Sequence, residues 1–286
     1  NPINKNFKKM KKTDVLVIGG SAAGMVVALT GKATYPEKSF TMIKKQKDVM
    51  VPCGIPYIFG TLDSSQLNIM PVDNMMEKAG VTSLIGEVVA IDKAAKSARM
   101  ADGEIIEYQK LVLATGSIPV IPKWLKGGDK KNVFTVPKDR IYLDEMKEKL
   151  AGCRRVVVIG AGFIGVEFSD EFAKHGHEVV LVEKLPHILA LAFDPELSEK
   201  IETLLKDRGV NVKTGTGVTE IVGEDTVKGV KLENGEVIDA DAVVLSMGYL
   251  PNSGLARESG IYVDESGFIA VDEYMRTHEP DVFAIG

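Results

Sequence analysis

Two glycine-rich segments of this chain have the spacing that binds the pyrophosphate of a dinucleotide. The first, Gly19–Gly24, follows the apolar run Val15–Ile18, and the second, Gly160–Gly165, follows Val156–Ile159. Each apolar run predicts a buried parallel strand, and helical spacing follows each set of glycines. The glycines permit a tight turn, a close approach of backbone to phosphate and close helix–strand packing, while the helix N-terminus supplies free N–H groups. The sequence therefore predicts two dinucleotide sites.

Cys53 is the residue best suited to redox chemistry. It stands in the segment Val51–Gly60, soon after a predicted strand at Phe40–Ile43, and near the predicted start of a helix. A helix N-terminus favours the thiolate, which is the nucleophilic form of cysteine. The alternative interpretation is that Cys53 is a small buried apolar residue. Cys153, just before the second glycine-turn strand, is expected to have no chemical role.

The elements that follow the two glycine turns are alike. A hairpin turn is predicted at Ala101–Gly103, before a strand in Leu111–Gly116. A second hairpin turn is predicted at Asn234-Gly235, before a strand in Val243–Gly248. This repeated order of turn, hairpin and strand indicates a duplicated nucleotide-binding unit.

Composition narrows the class of protein. With 286 residues, of which 45% are hydrophobic, the chain is long enough for two domains with their own cores. The net charge of -5 argues against a nucleic-acid partner. No run approaches the roughly 18 apolar residues that span a bilayer, so we expect no membrane partner and a cytoplasmic protein. With 2 cysteines and 4 histidines lacking ligand spacing, neither a disulfide framework nor a metal site is expected.

The first residues differ from the rest of the chain. Residues 1–12 are basic and polar, and they lack the apolar core of a secretory signal. They are predicted to be a disordered leader, with the ordered fold beginning near Thr13.

On these motifs, the chain resembles the flavin-dependent pyridine nucleotide-disulfide oxidoreductases, in particular the single-cysteine branch with coenzyme A-disulfide reductases, NADH oxidases and NADH peroxidases. Two-cysteine relatives have a second cysteine near this one, but Ile58 offers no partner for Cys53. The resemblance therefore implies a lone cysteine that cycles through a mixed disulfide, a persulfide or a sulfenic acid. Besides the first glycine turn, the matching segments are Cys53–Tyr57, Ala114–Gly116, Gly160–Gly165 with Glu167, Gly248 with Pro251-Asn252, and Thr277–Gly286.

The resemblance implies an α/β fold of two Rossmann-like, doubly wound nucleotide-binding domains, the NAD domain inserted into the FAD domain. Residues 13–121 would form the first part of the FAD domain. Residues 122–248 would form the NAD(P)H domain, with a leading linker helix at Lys138–Leu150, and residues 249–286 would return to the FAD domain.

The first unit would bind FAD. The resemblance places the pyrophosphate on the first glycine turn and the adenine against the backbone of Val88. The residues predicted to contact FAD are Gly19, Gly20, Ser21, Ala22, Ala23, Gly24, Lys44, Lys45, Val88, Ala114, Thr115 and Gly116.

The second unit would bind NADH. Glu183 follows the strand Val179–Val182 and is placed to accept a hydrogen bond from a ribose 2′-hydroxyl, which favours NADH over NADPH because a 2′-phosphate would be repelled. The alternative is a solvated charge at a strand end. Phe163 is predicted either to gate the nicotinamide or to pack behind the turn. The residues predicted to contact this nucleotide are Gly160, Gly162, Phe163, Ile164, Gly165, Glu167, Glu183 and Gly248.

Three departures from the family pattern bear on function. Lys44, followed by Lys45, replaces the acidic residue that relatives place near the FAD ribose. Ala22 stands where NADH peroxidases have a histidine, which disfavours a peroxidase. The sequence stops at Gly286, before the aspartate and the C-terminal dimerisation domain of relatives, so we expect a truncated form of a protein that is a homodimer when complete.

The leading functional hypothesis is an NADH-dependent FAD flavoprotein that reduces coenzyme A disulfide, or a related persulfide or polysulfide, through Cys53. The first alternative is an NADH oxidase that passes electrons to dioxygen. A third possibility, of another class, is a nucleotide-binding module without catalysis. The expected partner is a small thiol, disulfide or dioxygen acceptor.

Overall fold

The computed structural model describes residues 10–286, and the chain divides into two units. The first strand, β1 (Lys11–Ile18), belongs to the first unit. The predicted leader lies mostly outside the described residues. Strand β1 includes Lys11 and Lys12, which pair with Ile106 and Glu107, so the described strand begins two residues before Thr13, near the predicted start of the ordered fold.

Most of the regular elements are short strands. In chain order, the strands are β1, β2 (Phe40–Lys44), β3 (Val49–Met50), β4 (Ile69–Met70), β5 (Thr82–Ile85), β6 (Val88–Asp92), β7 (Ser97–Met100), β8 (Ile105–Leu113), β9 (Ser117–Pro119), β10 (Val133–Phe134), β11 (Arg155–Ile159), β12 (Glu178–Val182), β13 (Asn211–Lys213), β14 (Val218–Val222), β15 (Gly229–Leu232), β16 (Val237–Asp239), β17 (Ala242–Leu245), β18 (Tyr249–Pro251) and β19 (Val282–Ala284). The α-helices are α1 (Ala22–Thr34), α2 (Val72–Ala79), α3 (Arg140–Leu150), α4 (Phe163–Lys174), α5 (Pro195–Asp207) and α6 (Gly254–Glu258).

The first unit is built on a sheet of order β5-β2-β1-β8-β7-β6, with β19 beside β8. Strand β1 is parallel to β2 and β8, so that Ile18 pairs with Ile43 and with Leu113. Leu16 and Leu111 have 0% exposure, as expected of parallel strands covered on both faces. The carboxyl ends of β1, β2 and β8 therefore meet at one edge, where ligands bind in such sheets.

The second unit repeats this plan. Its parallel sheet has the order β10-β17-β11-β12-β13, and a separate antiparallel sheet consists of β14, β15 and β16. Val156, Val157 and Val158 in β11 have 0% exposure. The predicted α/β fold with two doubly wound units is confirmed.

Equivalent backbone hydrogen bonds show the duplication directly. Gly19 N donates to Ile43 O and Gly160 N donates to Val182 O, both at 2.8 Å. The two predicted hairpins are also present, between β7 and β8 and between β15 and β16. The copies differ after the hairpin. In the first, the single strand β8 forms both the hairpin and part of the parallel sheet, whereas in the second these two parts are separate strands, β16 and β17.

The units include different residues from the predicted domains. The first contains the described residues up to Val49, Met70–Ile118 and Leu250–Gly286, and the second contains Met50–Ile69 and Pro119–Tyr249. The prediction assigned the Cys53 segment to the first domain, whereas in the structure this segment packs with residues of the second unit; the domain boundaries themselves stay a prediction. Phe59 is 2% exposed, and its ring centroid lies 5.1 Å from that of Phe168 on α4.

The predicted linker helix at Lys138–Leu150 corresponds to α3. Its start is set by Asp139, whose side chain accepts hydrogen bonds from the backbone N–H groups of Ile141 and Tyr142. In the part of the chain that the structure describes, none of the helices combines the length and apolar character of a membrane-spanning helix.

Candidate functional site

The first glycine turn leaves no room for side chains at its ends. Gly19 has φ +120°, and a Cβ there would lie 2.0 Å from the carbonyl oxygen of Ala114. A Cβ on Gly24 would lie 1.9 Å from Gly19 O. The start of α1 is therefore packed directly against the ends of β1 and β8, which is the close approach that the motif predicts.

A pocket of about 320 Å³ opens beside this turn in the first unit. Four of the residues predicted to contact FAD line it, namely Gly19, Lys45, Val88 and Thr115. Its wall also includes Gly86, Glu87, Asn252, Gly254, Leu255 and Glu258. This placement is compatible with a nucleotide, while the individual contacts stay predictions.

Lys44 occupies a different position from the one predicted for it. It is 3% exposed, and its Nζ donates to Asp73 Oδ2 at 3.0 Å. Successive side chains of an extended segment point to opposite sides, so of the two lysines only Lys45 lines the pocket. There, its Nζ lies 2.9 Å from Glu87 Oε1. The Lys44 side chain is thus buried and paired with a half-exposed carboxylate, which does not favour a side-chain contact with the cofactor, and its predicted contact stays a prediction.

Asn252, which belongs to the Pro251-Asn252 motif, also lines this pocket. Its side-chain amide donates to Thr115 O at 3.2 Å, and the Thr115 hydroxyl donates to Asn252 O at 2.7 Å. Its backbone N–H donates to Gly116 O. These bonds hold the Ala114–Gly116 segment, whose last residue has φ +71°.

The second glycine turn repeats the geometry of the first. A Cβ on Gly160 would lie 2.6 Å from Ser246 O, and one on Gly165 would lie 1.9 Å from Gly160 O. Gly162 differs, since a Cβ there would have no neighbour within 4 Å. Gly162 is also the N-cap of α4, so open space lies beside the helix N-terminus, where an anion binds.

A cavity of about 900 Å³ lies at this turn, within the second unit. Six of the eight predicted residues line it, namely Gly160, Gly162, Phe163, Ile164, Glu183 and Gly248. Gly165 and Glu167 do not. The cavity is large enough for a substantial part of a dinucleotide. Trp124, Lys184 and Glu233 also line it, and the sequence does not indicate them because they belong to no local motif.

Phe163 forms part of the cavity wall with its side chain accessible. It is 56% exposed and makes an edge-on contact with Phe193 at a centroid distance of 5.8 Å. Packing behind the turn would require a buried ring, so the structure favours the wall position over that alternative.

The Glu183 carboxylate is held by backbone groups. Its Oε2 accepts from Ala161 N at 2.7 Å, and its Oε1 accepts from Leu185 N at 2.9 Å. Each carboxylate oxygen has a second lone pair, so the group can still accept hydrogen bonds from a ribose. A carboxylate exposed at a strand end, the alternative considered for Glu183, would contact mainly water, whereas both oxygens of this one accept hydrogen bonds from the backbone.

Glu167 lies one turn before Glu171 on α4. Burial raises the pKa of the Glu167 carboxyl, and the charge of Glu171 raises it further. Glu171 is 2% exposed and accepts from the Thr61 hydroxyl at 2.7 Å. Helix α4 therefore begins at the cavity and holds the Cys53 segment further along.

Cys53 is exposed, in agreement with a reactive thiol and against the interpretation as a buried apolar residue. The predicted helix start is corrected. Two 3₁₀ helices, Pro52–Gly54 and Pro56–Phe59, take its place, because each proline lacks the N–H that a continuous α-helix requires. A single short turn has little dipole, so the loop positions the thiol and no α-helix dipole favours its thiolate.

Cys153 has the opposite character. It is 9% exposed, and its thiol donates to Lys149 O at 3.4 Å. Burial raises the pKa of this thiol, and the charge of Asp241 adds to the effect. Among residues 10–286, no group of three histidine, cysteine, aspartate or glutamate side chains is arranged to hold a metal ion.

Comparison with known proteins gives a consistent result. The sequence model of the family described as pyridine nucleotide-disulphide oxidoreductase matches residues 13–286. The chain is 36% identical to an NAD(P)H sulfur oxidoreductase (CoA-dependent) of Pyrococcus abyssi, over 97% of this chain and 63% of that protein. It is 32% identical to an NADH oxidase of Methanocaldococcus jannaschii, over 95% of this chain and 62% of that protein. The chain thus spans less than two thirds of these relatives.

Solved structures agree. The crystal structure of reduced Bacillus anthracis CoADR-RHD aligns with a TM-score of 0.87 at 27% identity, covering 98% of this chain and 51% of that one. Because the alignment covers 98% of this chain, it includes residues of both units.

Proposed function

The chain belongs to the pyridine nucleotide-disulphide oxidoreductase family, and we propose that it forms part of an enzyme that uses NADH and FAD to reduce coenzyme A disulfide, or a related persulfide or polysulfide, through Cys53. Members of this family depend on FAD and NAD(P)H. The observation that carries the proposal is the contrast between Cys53, an exposed thiol, and Cys153, a buried one. The relative named as a CoA-dependent sulfur oxidoreductase supports this acceptor class.

The first unit offers what FAD needs. The absence of side chains at Gly19 and Gly24 lets the N-terminus of α1 approach a pyrophosphate, and Val88 and Thr115 supply walls for the adenosine part. When bound, FAD supplies a group that accepts a hydride and passes the electrons on.

The second unit offers what NADH needs. The open space at Gly162 and the N-terminus of α4 suit a pyrophosphate. Glu183, anchored to Ala161 N, suits a ribose 2′-hydroxyl and disfavours a 2′-phosphate. We place the nicotinamide near Phe163 and Gly248 at the other side of the cavity. These residues hold and orient the nucleotide.

Cys53 performs the sulfur chemistry. Its thiolate attacks one sulfur of the disulfide, forms a mixed disulfide and releases the other sulfur as a thiolate. Two electrons, originating from NADH, then cleave the mixed disulfide, which returns the Cys53 thiolate and releases the second thiol after uptake of a proton.

A second candidate is an NADH oxidase, in which the electrons pass to dioxygen. It is favoured by the 32% identity to the NADH oxidase of Methanocaldococcus jannaschii. In that case, Cys53 would cycle through a sulfenic acid instead of a mixed disulfide.

Cys53→Ser tests the proposal. In FAD-loaded protein, the variant should keep the bleaching of flavin absorbance by NADH, because hydride transfer does not use the sulfur. NADH-dependent release of thiol from coenzyme A disulfide should fall by about 100-fold or more, since the nucleophile is gone. Cys153→Ser is the matched control and should leave both rates unchanged.

Other results would contradict the proposal. Full thiol release by Cys53→Ser would show that the cysteine is structural. Wild-type protein that releases no thiol but consumes dioxygen with NADH would select the oxidase. Protein that takes up no FAD and never reacts with NADH would select a binding module without catalysis.

A further inference from the structure

One charged pair on the cavity wall of the second unit belongs to no motif. Lys184 follows Glu183, and its Nζ lies 3.3 Å from Glu233 Oε1. Both side chains line the cavity. Of the described residues that line it, Lys184 is the only one with a positive charge.

Glu233 is held in place by the backbone. It lies in the turn between β15 and β16, where its Oε2 accepts from Gly217 N at 3.2 Å and its own N–H donates to Gly217 O at 2.9 Å. A Cβ on Gly217 would lie 2.6 Å from Glu233 Oε1. The hairpin turn and the loop at Gly217 therefore fit together closely and direct the carboxylate towards Lys184.

The pair has little to do with stability. The Lys184 and Glu233 side chains are 75% and 47% exposed, and ion pairs in water at such exposure contribute little. A function in recognition is the better account, because the pair stands beside the carboxylate of Glu183. A phosphate on the ribose 2′ position would lie next to Glu183 and would need Lys184 as its counter-ion.

We infer that Glu233 is a specificity-determining residue that holds Lys184 away from a nucleotide 2′-phosphate and thereby favours NADH over NADPH. The inference rests on the proposed binding of NADH in this cavity. A 2′-phosphate would face the carboxylate of Glu183, and it would have to compete with Glu233 for the one lysine among the described residues of the cavity wall. A 2′-hydroxyl has no such requirement.

Glu233→Gln provides the test, because the glutamine oxygen can still accept from Gly217 N while the charge that binds Lys184 is lost. Binding is read from the emission of Trp124, the single tryptophan of the chain, which lines the same cavity. NADH and NADPH are titrated separately, in the absence of dioxygen, into FAD-loaded protein whose flavin has first been fully reduced, so that no hydride transfer accompanies binding. We expect the ratio of the NADPH Kd to the NADH Kd to fall by about fivefold or more.

Two further variants make the result specific. Glu236→Gln is the matched control, since Glu236 lies on the same hairpin and pairs with Lys213 at 2.9 Å but does not line the cavity. Its Kd ratio should equal that of the wild type. In Glu233→Gln combined with Lys184→Ala, the gain for NADPH should disappear, because the lysine that binds the phosphate is absent.

The inference is overturned if Glu233→Gln leaves the Kd ratio unchanged while NADH still binds, a result that leaves the proposed function intact. It is also overturned if the gain for NADPH persists without Lys184. Wild-type protein that binds neither nucleotide would overturn both the inference and the proposed function.

Discussion

Asn68 fills the space beside Gly54, since a Cβ on Gly54 would lie 1.9 Å from Asn68 Oδ1. Asn68 is 4% exposed, and its side-chain amide donates to Val51 O at 3.0 Å. The Val51 N–H in turn donates to Asn68 O at 2.9 Å. The turn that carries Cys53 is therefore held by one buried amide, and a side chain in place of Gly54 would displace it.

Asn68→Ala should loosen the turn around Cys53. The change removes the bond to Val51 O and leaves a small cavity, so we expect a loss of about 1 to 3 kcal/mol in the free energy of unfolding. Because Asn68 positions the thiol, thiol release should fall while NADH still bleaches the flavin at the normal rate. Stopped-flow absorbance and a thiol assay measure the two steps, and Asn74→Ala, at an exposed position of α2, is the control. Equal losses in both steps would indicate a merely structural role.

Gly165→Ala and Gly162→Ala should separate folding from nucleotide binding. A methyl group at Gly165 would stand 1.9 Å from Gly160 O, so we expect overpacking to destabilise the protein by about 1 to 3 kcal/mol or more. A methyl group at Gly162 has no protein neighbour within 4 Å and should leave the unfolding midpoint nearly unchanged. It should nevertheless weaken NADH binding, because it enters the space proposed for the pyrophosphate. Thermal unfolding and Trp124 emission provide the measurements; unaltered NADH affinity in Gly162→Ala would remove this turn from the binding site.

Asp241 should control stability in acid. Hydrogen bonds from the Arg155 side chain, and then from the Arg155 backbone N–H, lower the pKa of Asp241 from 3.8 to about 2. Since the folded pKa is below the ordinary value, the stabilisation is complete above pH 4 or so and is lost as the pH falls towards 2. After allowance for solvent screening, Asp241→Asn should cost about 1 kcal/mol at pH 7 and almost nothing at pH 2.

Urea unfolding at several pH values measures this difference. Asp239→Asn is the control, since Asp239 pairs with the same Arg155 at 2.9 Å but its side chain is 74% exposed. It should change stability much less at every pH. A difference between wild type and Asp241→Asn that does not shrink in acid would show that the ionised carboxylate is not the source of the effect.

The amino-acid sequence was sufficient to predict the parts of the protein that follow from local geometry. The strand–turn–helix order at Gly19 and Gly160 was predictable, because a turn that places backbone within van der Waals contact of a neighbouring strand admits only glycine. The hairpins and the placement of Glu183 at the end of β12 follow from strand periodicity in the same way. These rules act over a few residues, so they can be recognised without knowledge of the fold.

Contacts between residues distant in sequence became visible only in the folded chain. Packing placed Lys44 beside Asp73, Asn68 against Gly54 and Glu233 beside Lys184. It also grouped the Cys53 segment with the second unit through Phe59. Such contacts depend on which faces of separate elements pack together, and the free energy of that packing is shared among many side chains, so no single residue or spacing indicates them in advance.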